Sequence, residues 1–200
     1  FKNILVIGAE VQSTAMNLTT EGRDTAIIFG DGAGAVIISS TKDQRGILST
    51  HMHSEGKYLK ELWLESPASK AGYPRIKSTD INDGKQFLKM NGKEVFKHAV
   101  TRFPEVINEC LEKNNINIED INLFIPHQAN LRITKMVQKK LGLQDNQVFS
   151  NIEKYGNTTA ATIPIALGEA VENGQINKGD IIIFASFGSG FTWASAAVKW

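Results

Sequence analysis

With one cysteine, Cys110, in 200 residues, the chain can form no internal disulfide, and a reducing, cytoplasmic setting is expected. No apolar run reaches the roughly 18–20 residues that span a bilayer, so no membrane association is expected. Neither sign of charge prevails: 22 Lys and Arg face 21 Asp and Glu, for a formal net charge of +1, and global charge therefore names no partner. Aromatic and basic residues do not interleave, which argues against nucleic acid. A Walker lysine is lacking. Gly30-Asp31-Gly32-Ala33-Gly34 does not have the G-x-G-x-x-G spacing, and no helix evidently follows it, so dinucleotide binding is excluded. Gly188-Ser189-Gly190 is not the G-x-S-x-G nucleophile elbow. His51-Met52-His53 is set aside as a metal pair, because strand alternation is taken to separate the histidines and no cysteine or acidic cluster supports them.

What is present suits a packed domain, or a large piece of a bigger one. Hydrophobic residues make up 42% and charged residues 22%, an ordinary globular balance. The first residues, Phe1-Lys2-Asn3-Ile4-Leu5-Val6-Ile7-Gly8, lack an initiator Met and read as a strand, not as a signal peptide. Chain ends are usually loose, so the sequence is expected to be a truncated piece.

Short apolar runs closed by turn residues predict buried strands at Ile4–Gly8, Thr25–Phe29 and Ala35–Ser39, with Gly46–His53 as the third strand of one meander. Residues 55–84 are polar and read mostly as loop with a short helix. Lys85 to Asn114 reads as helix, with Phe103, Val106, Ile107, Cys110 and Leu111 on one face and Pro104 marking a kink or junction. Strands are expected at Ile121–Ile125, Gln147–Asn151, Asp180–Phe184 and Thr192–Lys199. Helices are expected at Leu131–Leu141, ended by Gly142, and Thr158–Asn173, ended by Gly174. Ala26–Ser39 and Ile182–Val198 share one plan, strand, glycine turn, strand, as two similar α/β halves would.

The candidate chemistry lies where strands end. Ile125-Pro126-His127-Gln128-Ala129-Asn130 delivers His127 to the carboxyl end of a strand, where ligands collect in α/β sheets. Thirty residues later Tyr155-Gly156-Asn157-Thr158 does the same for Asn157, with Gly156 permitting a tight turn. A neutral imidazole donates one N–H and a carboxamide two. Aimed at one thioester carbonyl, they would stabilise the enolate oxygen formed when a β-carboxyl leaves as carbon dioxide. Loss of one such donor typically costs about 2.7–4 kcal/mol of barrier. Taken alone, a histidine is more often a hydrogen-bonded structural residue and an Asn after Gly a turn or cap, so patterning leaves both readings open.

Four segments in register resemble β-ketoacyl-acyl carrier protein synthase III: Phe29-Gly30-Asp31-Gly32-Ala33-Gly34-Ala35, Pro126 to Arg132, Tyr155-Gly156-Asn157-Thr158, and Phe187-Gly188-Ser189-Gly190-Phe191-Thr192-Trp193. The likeness runs from Phe1 to Trp200. It implies an α/β, thiolase-like layered fold with mixed sheets. Residues 1–54 would be the remaining strands of the N-terminal half and 55–200 the C-terminal half.

The resemblance further implies a Cys-His-Asn triad in which His127 and Asn157 are catalytic and the Cys lies upstream of Phe1. Cys110 would be a structural core thiol, and the chain alone would lack acyl transfer. The backbone of Ser189 would serve the acyl oxyanion, although many relatives carry Gly or Ala there. Gly92, Phe96, Asn130 and Ile133 would wall a substrate tunnel. Lys97, Arg132, Lys139 and Lys140 would dock an acidic acyl carrier protein, although a basic helix face such as Arg132, Lys135 and Lys139 is more often merely solvated. CoA and the carrier's phosphopantetheine would be substrate carriers, with no resident cofactor or metal, and the full-length protein would be a homodimer. The implied reaction joins an acyl-CoA-derived acyl group to malonyl-acyl carrier protein, initiating fatty acid synthesis. Two alternatives remain: a non-catalytic thiolase-fold scaffold, and a related synthase using another acyl thioester.

Overall fold

The computed structural model describes residues 1–69 and 72–200. Its strands are β1 (Asn3–Glu10), β2 (Gly32–Ser39), β3 (Gly46–Ser54), β4 (Leu62–Trp63), β5 (Lys89–Met90), β6 (Leu123–Pro126), β7 (Ile181–Gly188) and β8 (Thr192–Lys199). Its α-helices are α1 (Arg23–Ala26), α2 (Ser78–Asn82), α3 (Gly92–Asn114), α4 (Leu131–Leu141), α5 (Ile152–Tyr155) and α6 (Thr162–Glu172).

The main sheet is mixed, in the order β3-β8-β7-β6. β6 runs parallel to β7, and β8 is antiparallel to both β7 and β3. Alternation along its strands separates two cores. Phe124 of β6 and Ile183, Ala185 and Phe187 of β7 meet the apolar stripe of α3 (Phe103, Val106, Ile107, Cys110) and Ile133 and Val137 of α4. Leu123, Ile125 and Ile182 point the other way, onto Ala166, Leu167 and Ala170 of α6. Helices therefore cover both faces, which is why β6 reads as a continuous apolar run. α3 is capped by the Asn91 side chain and ends at Asn115, in the left-handed region at φ 52°. α4 ends at Gly142, at φ 75°, as expected from a C-terminal glycine.

Several expectations are corrected. Thr25–Phe29 is not a strand: α1 occupies Arg23–Ala26, and Ile27 lies exposed beyond it. A five-residue apolar run fits a helical turn as well as a strand, and periodicity cannot separate the two. β2 therefore pairs with β1, not with residues 25–29. The internal echo lies between β1/β2 and β7/β8, each an antiparallel pair of eight-residue strands. β3 leaves the expected meander and joins β8 in the main sheet. β1 is largely exposed, with Leu5 at 59% and Ile7 at 61%, because its described neighbours are β2 alongside and the 159–161 turn and α6 near its end.

Residues 85–91 are not helical: β5 lies there, and α3 starts at Gly92. α3 then runs unbroken through Pro104, held by the buried Phe103, Val106 and Ile107. Residues 147–151 do not form a strand. They follow a 3-10 turn (Asp145–Gln147) and touch β6 through a single bridge, Phe124 to Val148.

Ile107 is wholly buried between α3 and the sheet. Ile107→Ala is expected to lower unfolding free energy by about 2–5 kcal/mol in denaturant titration. A loss under about 1 kcal/mol would contradict that packing.

Candidate active site

The β6–β7 pairing extends one residue past β6: the His127 N–H donates to the Ala185 carbonyl at 2.8 Å. The next residue, Gln128, is buried and locks the loop. Its Nε2 donates to Pro126 O at 2.7 Å, while its Oε1 accepts from Ser150 Oγ at 3.0 Å and from the Asn151 N–H at 3.2 Å. The strand end carrying His127 is thereby tied to the segment that leads to Asn157. Asn157 is fixed from the other side, since its N–H donates to Ile28 O at 2.9 Å and its carbonyl accepts from Gly30 N–H at 3.0 Å.

That second approach explains the glycines. A Cβ on Gly30 would lie 2.3 Å from Tyr155 O, and one on Gly32 would lie 3.0 Å from the Thr158 side chain. The Gly30–Gly34 segment is thus a close-packing surface for the Asn157 loop, more than the turn its composition suggested. Gly156, at φ +66°, needs its conformational freedom for the turn itself.

His127 and Asn157 line one cavity of about 810 Å³. The imidazole Nδ1 lies 2.6 Å from Thr162 Oγ1, leaving Nε2 as the ring nitrogen available to a ligand. Asn157 is buried, and its Oδ1 accepts the Thr159 N–H at 2.9 Å, which leaves its Nδ2 as the donor end. Burial pushes the His127 pKa down to about 4, so the ring is neutral near pH 7.

Gly92, Phe96, Asn130, Ile133, Arg132 and Ser189 line the same cavity. Asn130 also caps α4 by accepting the Arg132 N–H at 2.9 Å, and the Arg132 guanidinium lies 5.7 Å from the Phe96 ring centre. Ser189 Oγ donates to Leu62 O at 2.6 Å. Lys97, Lys139 and Lys140 lie outside the cavity wall on exposed faces of α3 and α4. Lys140 Nζ donates to Val100 O at 2.9 Å, which draws the two helix faces together, and Lys97 sits 3.5 Å from Glu94. Cys110 is wholly buried on α3, 3.6 Å from Ser49 Oγ, and does not reach the cavity.

Two features escaped the sequence reading. Thr159 and Thr162 hold Asn157 and His127, and only their place just after the Asn motif hinted at it. His51 and His53, two residues apart, share a face of β3, and both reach Glu109, at 3.1 and 2.6 Å. Alternation therefore unites them and does not separate them. The hydrogen bond from His53 is the main cause holding Glu109 below the usual carboxylate range. Among the described residues, no group of three or more His, Cys, Asp or Glu side chains is placed to hold a metal ion.

The layered α/β architecture and its mixed sheet define a thiolase-like fold. It is shared with the solved 3-oxoacyl-[acyl-carrier-protein] synthase III of Aquifex aeolicus VF5 (TM-score 0.87, 41% identity, all of this chain and 58% of that one). The synthase III of Thermus thermophilus is equally similar (TM-score 0.88, 40% identity, all of this chain and 59% of that one). Residues 1–56 match the family model for 3-oxoacyl-[acyl-carrier-protein] synthase III, and residues 111–200 match the model of its C-terminal part. The chain is 44% identical over 200 residues to the β-ketoacyl-[acyl-carrier-protein] synthase III of Clostridioides difficile strain 630, covering all of this chain and 59% of that protein. For the Staphylococcus aureus strain Newman protein of the same name the identity is 42% over 200 residues, covering all of this chain and 58% of that protein. The chain belongs to the 3-oxoacyl-[acyl-carrier-protein] synthase III family, and it spans 58–59% of the length of these relatives. No described helix is long and apolar enough to cross a membrane.

The depressed His127 pKa makes a stability prediction. Between about pH 6.5 and 4 the unfolded chain binds a proton at this residue that the folded chain refuses, so stability falls as pH drops through that window. Wild type is expected to lose about 3 kcal/mol more than His127→Gln between pH 7 and 4, read by denaturant titration at each pH. Equal losses would contradict a desolvated, neutral His127.

Proposed function

We propose that this chain is the part of a condensing enzyme that activates malonyl-acyl carrier protein for decarboxylating Claisen condensation, initiating fatty acid synthesis. The observation that carries the reading is that His127 and Asn157, thirty residues apart, line one cavity with Nε2 and Nδ2 as their available nitrogens. In the proposed step the bond from the malonyl α-carbon to its carboxylate breaks and carbon dioxide leaves. The electron pair passes into the thioester carbonyl, and His127 and Asn157 hold the resulting enolate oxygen. The α-carbon then bonds to an acyl thioester carbon and the acyl-bearing thiolate is expelled, giving 3-ketoacyl-acyl carrier protein.

In this account the acyl group comes from acyl-CoA and rides on a cysteine outside these 200 residues, because buried Cys110 does not reach the cavity. This piece by itself would then not transfer acyl groups. Ser189 supplies a backbone donor to the acyl oxyanion, and Gly92, Phe96, Asn130 and Ile133 guide the pantetheine arm. CoA and the carrier's phosphopantetheine are substrate carriers, and no resident cofactor or metal is invoked. Lys97, Arg132, Lys139 and Lys140 form the carrier-protein dock, where clustered positive charge would speed encounter with an acidic partner. The complete protein is proposed to act as a cytoplasmic homodimer.

In the complete protein, His127→Ala or Asn157→Asp is expected to lower malonyl-acyl carrier protein decarboxylation at least about 100-fold, read as released carbon dioxide. Full activity in both variants would refute these roles, as a scaffold lacking the chemistry also would. Arg132→Glu is expected to raise the KM for malonyl-acyl carrier protein, with the folded fraction unchanged by circular dichroism. An unaltered KM would remove Arg132 from the dock.

A further inference from the structure

We propose that Glu169 is a positioning residue for the Asn157 carboxamide: from α6 its carboxylate grips both ends of α5, the short helix that delivers Asn157 to the cavity. This rests on the reading of Asn157 as a donor to a thioester oxygen, and it names a residue outside the cavity wall that sets where that donor stands.

α5 has four residues, Ile152–Tyr155, and a helix that short does not hold itself in water. Asn151 stands at its N-cap position, yet the side chain makes no cap to the helix. It is buried, and its Nδ2 donates instead to Glu169 Oε2 at 3.0 Å. Tyr155, the last residue of α5, donates its hydroxyl to Glu169 Oε1 at 2.5 Å. Each carboxylate oxygen thus takes one end of the helix. Lys154 Nζ adds positive charge at 3.4 and 3.5 Å. The Glu169 side chain is 18% exposed, so these contacts are screened less than those of a surface pair. The hydrogen bond from Tyr155, and next that from Asn151, holds Glu169 below the usual carboxylate range, so the acceptor is ionised at neutral pH. Hydrogen bonds to an ionised acceptor are about twice as strong as neutral ones.

Both held ends lead to the site. At Asn151 the restraint passes toward His127, because the Asn151 N–H donates to Gln128 Oε1 and Gln128 Nε2 donates to the Pro126 carbonyl. At Tyr155 it passes through the Gly156 turn to Asn157, two residues on. His127 has a second anchor in the sheet, its N–H donating to Ala185 O beside the β6–β7 pairing. Asn157 has no ladder behind it and meets residues 28–30 through an isolated bridge. Loss of the Glu169 grip is therefore expected to displace Asn157 and to leave His127 in place.

The test compares Glu169→Ala with wild type in the full-length protein. Backbone amide hydrogen exchange is expected to quicken at least about 10-fold in residues 151–159, with α3 and β8 unchanged. The decarboxylation kcat should fall about 10- to 100-fold, with the KM for malonyl-acyl carrier protein little changed. In an Asn157→Ala background the same change should lower kcat little further, since its route to the chemistry is gone. Unaltered exchange in residues 151–159, faster exchange throughout the protein, a wild-type kcat, or a full further loss in the Asn157→Ala background overturns the inference. If Glu169→Ala does not fold, Tyr155→Phe decides, since it removes only the hydroxyl of an exposed side chain. Faster exchange confined to residues 151–159 in that variant supports the grip, and exchange as in wild type overturns it. Undiminished decarboxylation by Asn157→Ala alone would instead overturn the donor reading, and the exchange result would still decide whether Glu169 holds α5.

Discussion

Two side chains thirty residues apart can act on one oxygen only if each is fixed by hydrogen bonds that leave one nitrogen free, and the turn at Thr159–Thr162 meets that constraint for both. It takes Asn157 by the amide oxygen and His127 by Nδ1. A loop that took either residue by its other end would leave the same sequence motif and a cavity lacking one of the two nitrogens. The small size of these contacts matters less than their direction: each is an ordinary hydrogen bond, but each decides which atom a substrate meets.

The rest of the fold keeps that turn in place. The parallel pairing of β6 with β7 sets where His127 leaves the sheet, and Gln128 ties the exit to the chain before Asn157. From the opposite side, the Gly30–Gly34 segment approaches so closely that side chains there would collide with Tyr155 O, Thr158 and Pro164. β2 and α6 are therefore locked around the Asn157 loop by an absence of atoms. The cavity wall joins residues from both ends of the chain, so neither strand pair builds the site alone.

The elements with a long, one-sided apolar pattern were legible in the sequence. α3 and α4 follow from their stripes and their terminal Asn115 and Gly142, and β6, β7 and β8 follow from their apolar runs. Short runs were not: Thr25–Phe29 is apolar enough for a strand but begins in a helical turn, and residues 147–151 make one bridge where a strand was expected. Pairing partners were equally hidden, because β3 joins β8, far along the chain, and not the nearby β2. Of the site, His127 and Asn157 stood out because the sequence reads as a strand before each and a helix after it, although the chain before Asn157 forms the short helix α5. Thr159 and Thr162 did not, since a hydroxyl that orients a neighbour has no periodicity, and the positive φ of Thr159 is invisible in composition. The two histidines of β3 show the reverse case: their spacing carried the right geometric rule, applied to the wrong pair of positions.

The central claim is that one thioester oxygen meets both nitrogens. The most direct measurement is a crystal structure of the complete protein bound to a non-decarboxylating malonyl-thioester analogue. The account predicts the thioester oxygen within hydrogen-bonding distance of both His127 Nε2 and Asn157 Nδ2, at about 2.7–3.1 Å. An analogue seated in the cavity with that oxygen turned away from either nitrogen would contradict it.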